Sequence, residues 1–175
     1  MRLFVGVEIP ESEKRKIVQL KKGISVKGRV KWVEKENLHI TILFIGESEP
    51  EEIIRLLDGI EHEFKPFEAR LSGVSAFPSL SRPRVLWVGL EKGEEELKEL
   101  HKKVYNRLKH IVKPENTFVP HVTFGRVKYG RVGFTSLHLR NPEDFTIDGL
   151  NLFQSRLTPE GPVYSVIKRY ISGGE

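Results

Sequence analysis

The 175-residue chain has no cysteine, one methionine and two tryptophans. Without cysteine it has no disulfides, thiolate metal sites, cysteine nucleophiles or iron–sulfur clusters. No apolar run approaches the ~18–20 residues of a membrane span. The N-terminus shares only Arg2 with a secretory leader: the run Leu3–Val7 is short and Glu8 interrupts it, so it reads as a buried strand. A cytoplasmic protein that meets no membrane, and is monomeric, is the expectation. Two glutamines and one methionine beside abundant Lys and Glu resemble a thermophile composition. A strong net charge is lacking as well. There are 29 Lys and Arg against 24 Asp and Glu, a net +5, which permits a polyanionic partner without requiring one. With 38% hydrophobic and 30% charged residues the chain can bury a core, which excludes wholesale disorder.

What is present is a weak, orderly repeat. Phe4-Val5-Gly6-Val7-Glu8 recurs as Trp87-Val88-Gly89-Leu90-Glu91, an offset of 83, and His39-Ile40-Thr41 recurs as His121-Val122-Thr123, an offset of 82. Between the two signals of each half lies an amphipathic stretch rich in Lys and Glu. The order strand, helix, His-x-Thr strand thus occurs twice, which predicts one domain, 1–175, of two pseudo-symmetric lobes. Each lobe supplies one motif, at 39–41 and 121–123.

Periodicity predicts a strand over 2–8 and a helix from Glu11 to about Lys22, with Ile17, Leu20 and Ile24 on one stripe. A short strand follows over 30–33, then the first His-x-Thr strand over 38–45. Ser48 with Glu51 has the form of a capping box opening a helix to about Glu63. Residues 67–77 read as a strand made irregular by Gly73, and 85–90 as another after a loop bracketed by Pro78 and Pro83. A long helix over 94–112 places Leu97, Leu100, Val104, Leu108 and Ile111 in register. The second motif lies on a strand over 119–127. Closing strands over 145–157 and 163–171 are split by the turn-rich 158–162. Mixed elements without a regular βαβ rhythm predict an α+β fold, a bilobal duplicated one with two mainly antiparallel sheets, helices outside and a central cleft.

On a strand, residues i and i+2 share a face, about 6.5–7 Å apart. His39 and Thr41 therefore point one way, as do His121 and Thr123, while Ile40, Ile42, Val122 and Phe124 point toward a core. A pseudo-two-fold can bring both polar faces to one cleft. Paired imidazoles suit acid–base work, because histidine titrates near pH 6.5 and one ring can be neutral while the other is charged. No carboxylate-backed triad supports a threonine nucleophile. The hydroxyls suit hydrogen bonds to non-bridging phosphate oxygens, which gain charge as attack proceeds. A zinc site is the weaker reading, since no H-x-H or H-E-x-x-H spacing occurs.

His39-Ile40-Thr41-Ile42 and His121-Val122-Thr123-Phe124 resemble the paired H-x-T-x motifs of the two-histidine phosphoesterases. The chain is more closely similar to the RNA 2′,3′-cyclic phosphodiesterases, also called 2′-5′ RNA ligases. The likeness takes in Arg2-Leu-Phe-Val-Gly-Val-Glu-Ile-Pro10, Lys31-Trp-Val-Glu-Lys-Glu-Asn-Leu-His39, Phe77-Pro-Ser, Arg82-Pro-Arg-Val-Leu-Trp-Val-Gly89, Phe118-Val-Pro-His-Val-Thr-Phe-Gly-Arg126 and Ser155-Arg-Leu-Thr-Pro-Glu-Gly-Pro-Val-Tyr164. The resemblance implies hydrolysis of a terminal 2′,3′-cyclic phosphate to a 2′-phosphomonoester without metal or cofactor. It implies His39 as acid, His121 as base, and reversible 2′-5′ ligation when an RNA 5′-hydroxyl replaces water. Its substrates would be RNA ends. A small cyclic nucleotide of the ADP-ribose 1″,2″-cyclic phosphate type is the alternative, and a non-catalytic RNA- or nucleotide-binding module a further one.

By the same resemblance Phe44 stacks on the base and Arg126 meets the substrate. Each lies five residues after its histidine, an odd offset that turns it to the opposite face unless the strand ends or bulges first. Residues 128–144 depart from the resemblance, being short and turn-rich where relatives carry a longer, more helical insertion. Arg29, Lys31, Arg82, Arg84, Arg126, Lys128 and Arg131 flank the expected cleft and read equally as a phosphate-steering field or as scattered solubilising charge. His62, His101 and His110 lie among Lys and Glu on expected helices and read as solvated surface. His138 receives no role.

Overall fold

The computed structural model describes residues 1–114 and 117–173. In chain order it has β1 (Arg2–Glu8), α1 (Glu11–Gln19), β2 (Ile24–Trp32), β3 (His39–Glu47), α2 (Pro50–Leu56), β4 (Phe67–Pro78), β5 (Pro83–Lys92), α3 (Glu94–Leu108), β6 (Val122–Phe134), β7 (Phe145–Ile147), β8 (Gly149–Thr158) and β9 (Gly161–Ile171). The strands form a four-stranded sheet, β3-β1-β8-β9, and a five-stranded sheet, β2-β6-β5-β4-β7. Every pairing is antiparallel. Each sheet carries one His-x-Thr motif, on β3 and at the start of β6. Neither sheet is built from one half of the chain. β2 from the first half edges the five-stranded sheet, and β8 and β9 from the end complete the four-stranded one.

The apolar residues between the motif positions supply the core. Ile40 and Val122 are fully buried, and Ile42, Leu43 and Phe124 nearly so. From the helix side, Leu97, Leu100, Val104 and Leu108 of α3 close the same cluster, as the i, i+3, i+4 spacing predicts. Each such side chain contributes roughly 1.5–3 kcal/mol on burial.

The register sharpens the repeat. Val5 pairs with Leu43, Gly6 with Thr41 and Val7 with Ile40. Leu86 pairs with Gly125, Trp87 with Thr123 and Val88 with Val122. The equivalent of Gly6 is therefore Trp87, an offset of 81, and not the 83 that the matching letters give. A slip of two keeps strand parity, so a sequence comparison does not feel it.

Several local expectations need correction. The helix after β3 starts at Pro50, and Ser48 is not its cap; the Ser48 amide instead donates to the Met1 carbonyl at 2.9 Å. That helix stops at Leu56, short of Glu63, and the chain turns through Gly59 at φ 80°. The short strand expected over 30–33 begins already at Ile24, and 128–134, expected as a turn-rich segment, is strand as well. Both are strands because they pair with each other across about a hundred residues of chain. The turn between β8 and β9 narrows to Pro159–Glu160.

Candidate active site

Both motifs open onto one cleft of ≈ 380 Å³. His39, Thr41, His121, Thr123, Phe44 and Arg126 all line it, so every residue singled out for the site is brought together there. The parity difficulty at Phe44 and Arg126 is resolved by a pair of matching bulges. The β1–β3 ladder slips between Val5 and Gly6, leaving Ile42 as the extra residue, and the β5–β6 ladder slips between Leu86 and Trp87, leaving Phe124. Each strand consequently buries two consecutive residues, Ile42-Leu43 and Phe124-Gly125, before exposing the next. The alternation changes phase, and residues 44 and 126 return to the histidine face.

Both imidazoles are anchored alike. His39 Nδ1 lies 2.7 Å from the Asn37 carbonyl, and His121 Nδ1 lies 2.6 Å from the Val119 carbonyl. A carbonyl only accepts, so Nδ1 carries the hydrogen in each ring and Nε2 is the nitrogen that gains or loses a proton. His39 Nε2 is 2.7 Å from Thr41 Oγ1, whose hydroxyl donates to the neutral ring.

The surroundings differ. His39 packs against Phe4 at a centroid distance of 5.0 Å, edge-on to Tyr164 at 5.3 Å and near Phe153 at 6.1 Å. His121 meets Phe77 edge-on at 5.2 Å and Trp87 at 5.6 Å. Burial pushes His39 down to about 4 against the opposing pull of the Asn37 carbonyl, and the nearby His121 charge adds to the depression. Burial also lowers His121, partly countered by the Val119 carbonyl, with Arg126 lowering it further. Tyr164 is raised by burial, offset by Arg126 and Arg2.

Of the seven flanking cations, Lys31, Arg126 and Lys128 line the cleft, while Arg29, Arg82, Arg84 and Arg131 do not. Sequence reasoning missed Asn37, Phe77 and Tyr164 as cleft residues, although all three stand in segments that carry the resemblance. It also misplaced His101. His62 and His110 are exposed, as expected, but His101 is partly buried. Its ring stacks on Phe118 at 4.2 Å and 3°, and its Nδ1–H donates to the Ile42 carbonyl at 2.8 Å. One α3 side chain thus touches the first bulge and the segment leading into the second motif. Only a tertiary contact distinguishes it from its solvated helical neighbours. Among the described residues no group of three or more His, Cys, Asp or Glu could hold a metal ion, and no helix is long and apolar enough to cross a membrane.

Comparison with known proteins agrees with this fold. The chain is 38% identical over 182 residues to the RNA 2′,3′-cyclic phosphodiesterase of Archaeoglobus fulgidus, covering 96% of this chain and 98% of that one. It is 37% identical over 186 residues to the protein of that name from Aquifex aeolicus, covering 99% and 98%. In fold it is similar to E. coli LigT complexed with 3′-AMP, with a TM-score of 0.82 at 19% identity over 98% of each chain. It is similar too to TT0787 of Thermus thermophilus, with a TM-score of 0.79 at 28% identity over the whole of both chains. The model of the LigT-like phosphoesterases matches twice, over residues 7–87 and 88–164, one match for each copy of the motif, and the chain belongs to that family.

Proposed function

We propose that this protein opens the 2′,3′-cyclic phosphate at the end of an RNA to a 2′-phosphomonoester, using His39 and His121 as proton donor and acceptor without a metal ion. The observation that carries this reading is the pair of imidazoles on one cleft, each fixed through Nδ1 to a backbone carbonyl so that Nε2 does the proton transfer. Water attacks phosphorus and the P–O3′ bond breaks. His121 takes the proton from water, and His39 gives its proton to O3′. Thr41 and Thr123 hold the non-bridging oxygens, Phe44 stacks on the terminal base, and Arg126 meets the phosphate. An RNA 5′-hydroxyl in place of water gives a 2′-5′ phosphodiester by the same proton movements, with the strained ring supplying the energy. The names of the curated relatives support the substrate.

One observation favours the reverse assignment of the pair. The ring pushed to about 4, His39, is the one more readily neutral, which suits a base. An analogue whose 3′-bridging oxygen is sulfur separates the two, because a thiolate leaves without protonation. Activity on it survives loss of the acid but not of the base. With His39 as acid, His39→Ala is rescued by the sulfur analogue and His121→Ala is not; rescue of His121→Ala alone reverses the roles. The reaction itself is tested on an oligonucleotide ending in a 2′,3′-cyclic phosphate, in EDTA. A 2′-phosphate product is expected. No turnover by the wild type, or turnover abolished by EDTA, defeats the proposal.

A further inference from the structure

We propose that the paired strands β2 and β6 form a track for the single-stranded RNA behind the reacting end. The proposal rests on the function above and adds a length to its substrate. β2 and β6 contain Lys27, Arg29, Lys31, Arg126, Lys128 and Arg131 and no Asp or Glu. The whole chain carries an excess of only five cations, so these two strands hold more than all of it, and the remainder of the protein is acidic by one charge. The weak basicity of the composition is therefore a strongly basic ribbon on a near-neutral body.

The ladder sets Lys27 opposite Arg131, Arg29 opposite Tyr129, and Lys31 opposite Arg126, with Lys128 as the extra residue of a bulge. Directly opposed residues share a face, and so do residues two apart along β2. Lys27, Arg29, Arg131 and Tyr129 thus continue outward the face that Lys31 and Arg126 turn to the cleft. From residue 31 to residue 27 the ribbon runs roughly 13 Å. Like charges opposed across a ladder destabilise it, so packing alone does not select this arrangement. None of the six cations makes an ion pair with a carboxylate among the described residues. Elsewhere the pattern is the opposite: Arg70 pairs with Asp144 and Glu91, Lys16 with Glu13 and Glu143, and Arg107 with Glu63.

β2 is an edge strand, and charge on an edge discourages aggregation. That purpose concerns β2 alone, whereas Arg126, Lys128 and Arg131 stand on β6, between β2 and β5 in the sheet. Tyr129 is 64% exposed in the middle of it. Cations tracking a backbone with an aromatic between them is the pattern of a single-strand binder, in which bases stack while phosphates meet Lys and Arg. Gly28 and Gly130 face each other at φ 138° and 93°. A Cβ at Gly28 would come within 2.2 Å of the Tyr129 carbonyl, and one at Gly130 within 2.0 Å of the Lys27 carbonyl. The two backbones therefore lie in close contact at mid-ribbon, where side chains at 28 and 130 would not fit.

The test compares a cyclic mononucleotide with a hexanucleotide ending in the same cyclic phosphate. Wild type is expected to turn over the hexanucleotide with a KM roughly 10–100-fold lower. Lys27→Gln/Arg29→Gln/Arg131→Gln removes that advantage, leaves the mononucleotide rate unchanged, and reduces the log–log salt slope by about 2. Tyr129→Ala costs roughly tenfold on the hexanucleotide alone. Equal kcat/KM for both substrates in wild type, or a triple variant that slows both alike, overturns the track. Fluorescence anisotropy with a hexanucleotide bearing a terminal 2′-phosphate needs no turnover, so the track stands or falls separately from the activity. Equal affinity of wild type and triple variant overturns it there too, and so does equal affinity for a duplex of the same length.

Discussion

The two His-x-Thr strands share a backbone and differ in what surrounds it. On β3 and β6 alike, an imidazole is tied to the carbonyl two residues before it, a threonine follows on the same face, and a bulge one residue later brings position five back to the cleft. Around that common frame, His39 on β3 faces an apolar wall of Phe4, Phe153 and Tyr164, and position five is the exposed Phe44. His121 meets Phe77 and Trp87, position five is Arg126, and β6 continues beyond it as a charged ribbon. Duplication supplies two imidazoles in like backbone settings. Divergence makes their surroundings unequal, which the proposed reaction, with one donor and one acceptor, requires.

The deepest cut into this comparison removes a ring. His39→Ala and His121→Ala should each lower turnover by roughly 10²–10⁴-fold, the usual worth of a positioned acid or base. A single-turnover assay reads it, and near-wild-type rates in either variant would break the two-histidine model. Next come the threonines, each at roughly 10–10²-fold. They should differ in kind, because only Thr41 donates to its own histidine. A bond to the neutral ring disfavours its protonation. Thr41→Ala should therefore move the His39 titration, followed by NMR, to higher pH, while Thr123→Ala leaves His121 in place.

Position five separates the lobes by chemistry. Phe44→Ala should weaken binding by about 1–3 kcal/mol whatever the salt. Arg126→Ala should cut the log–log salt slope by about 0.7. Identical salt dependence in the two variants would show that the positions do the same job. The pH profile follows from both rings being depressed. Below the lower pKa both are charged and no base remains; above the higher, both are neutral and no acid remains. The optimum of kcat/KM should thus fall on the acid side of pH 6.5. Stability has a matching sign. Unfolded His39 titrates near its ordinary value and binds a proton that the folded ring resists, so stability falls as pH drops from about 6.5 through about 4. His39→Gln should flatten that limb in thermal melts; an unchanged limb would assign it to other groups. The smallest effect is expected at His101→Phe, which keeps the stack on Phe118 and deprives the Ile42 carbonyl of its donor. A loss of about 1 kcal/mol in chemical denaturation is expected.

The motif residues were readable from the letters because strand parity and a repeated order are local properties. His39 with Thr41, and His121 with Thr123, needed only the period of two. Phe44 and Arg126 needed a bulge, and nothing about Ile42 or Phe124 as residues announces one. The outer half of β2 carries no strand signal in the letters, and that of β6 reads as turn-rich, because their partner strands lie far away in the chain; Gly28 and Gly130, which suggest a break in isolation, are the point where the pair meets. His101 went unseen for the same reason, since its company on α3 is Lys and Glu and its function is set by Ile42 and Phe118.

The exchange of strands between the two sheets has a consequence for motion. Each half of the chain lends strands to the other's sheet, so the backbone passes between the walls of the cleft four times, and a shared core joins them again. Walls joined by four connections do not swing like a single hinge. On the proposed function, the separation of the imidazoles is set during folding, and the ordering that a mobile pair would require at each turnover is already done. Distances between spin labels on the two sheets should accordingly be the same with and without a bound phosphate ester.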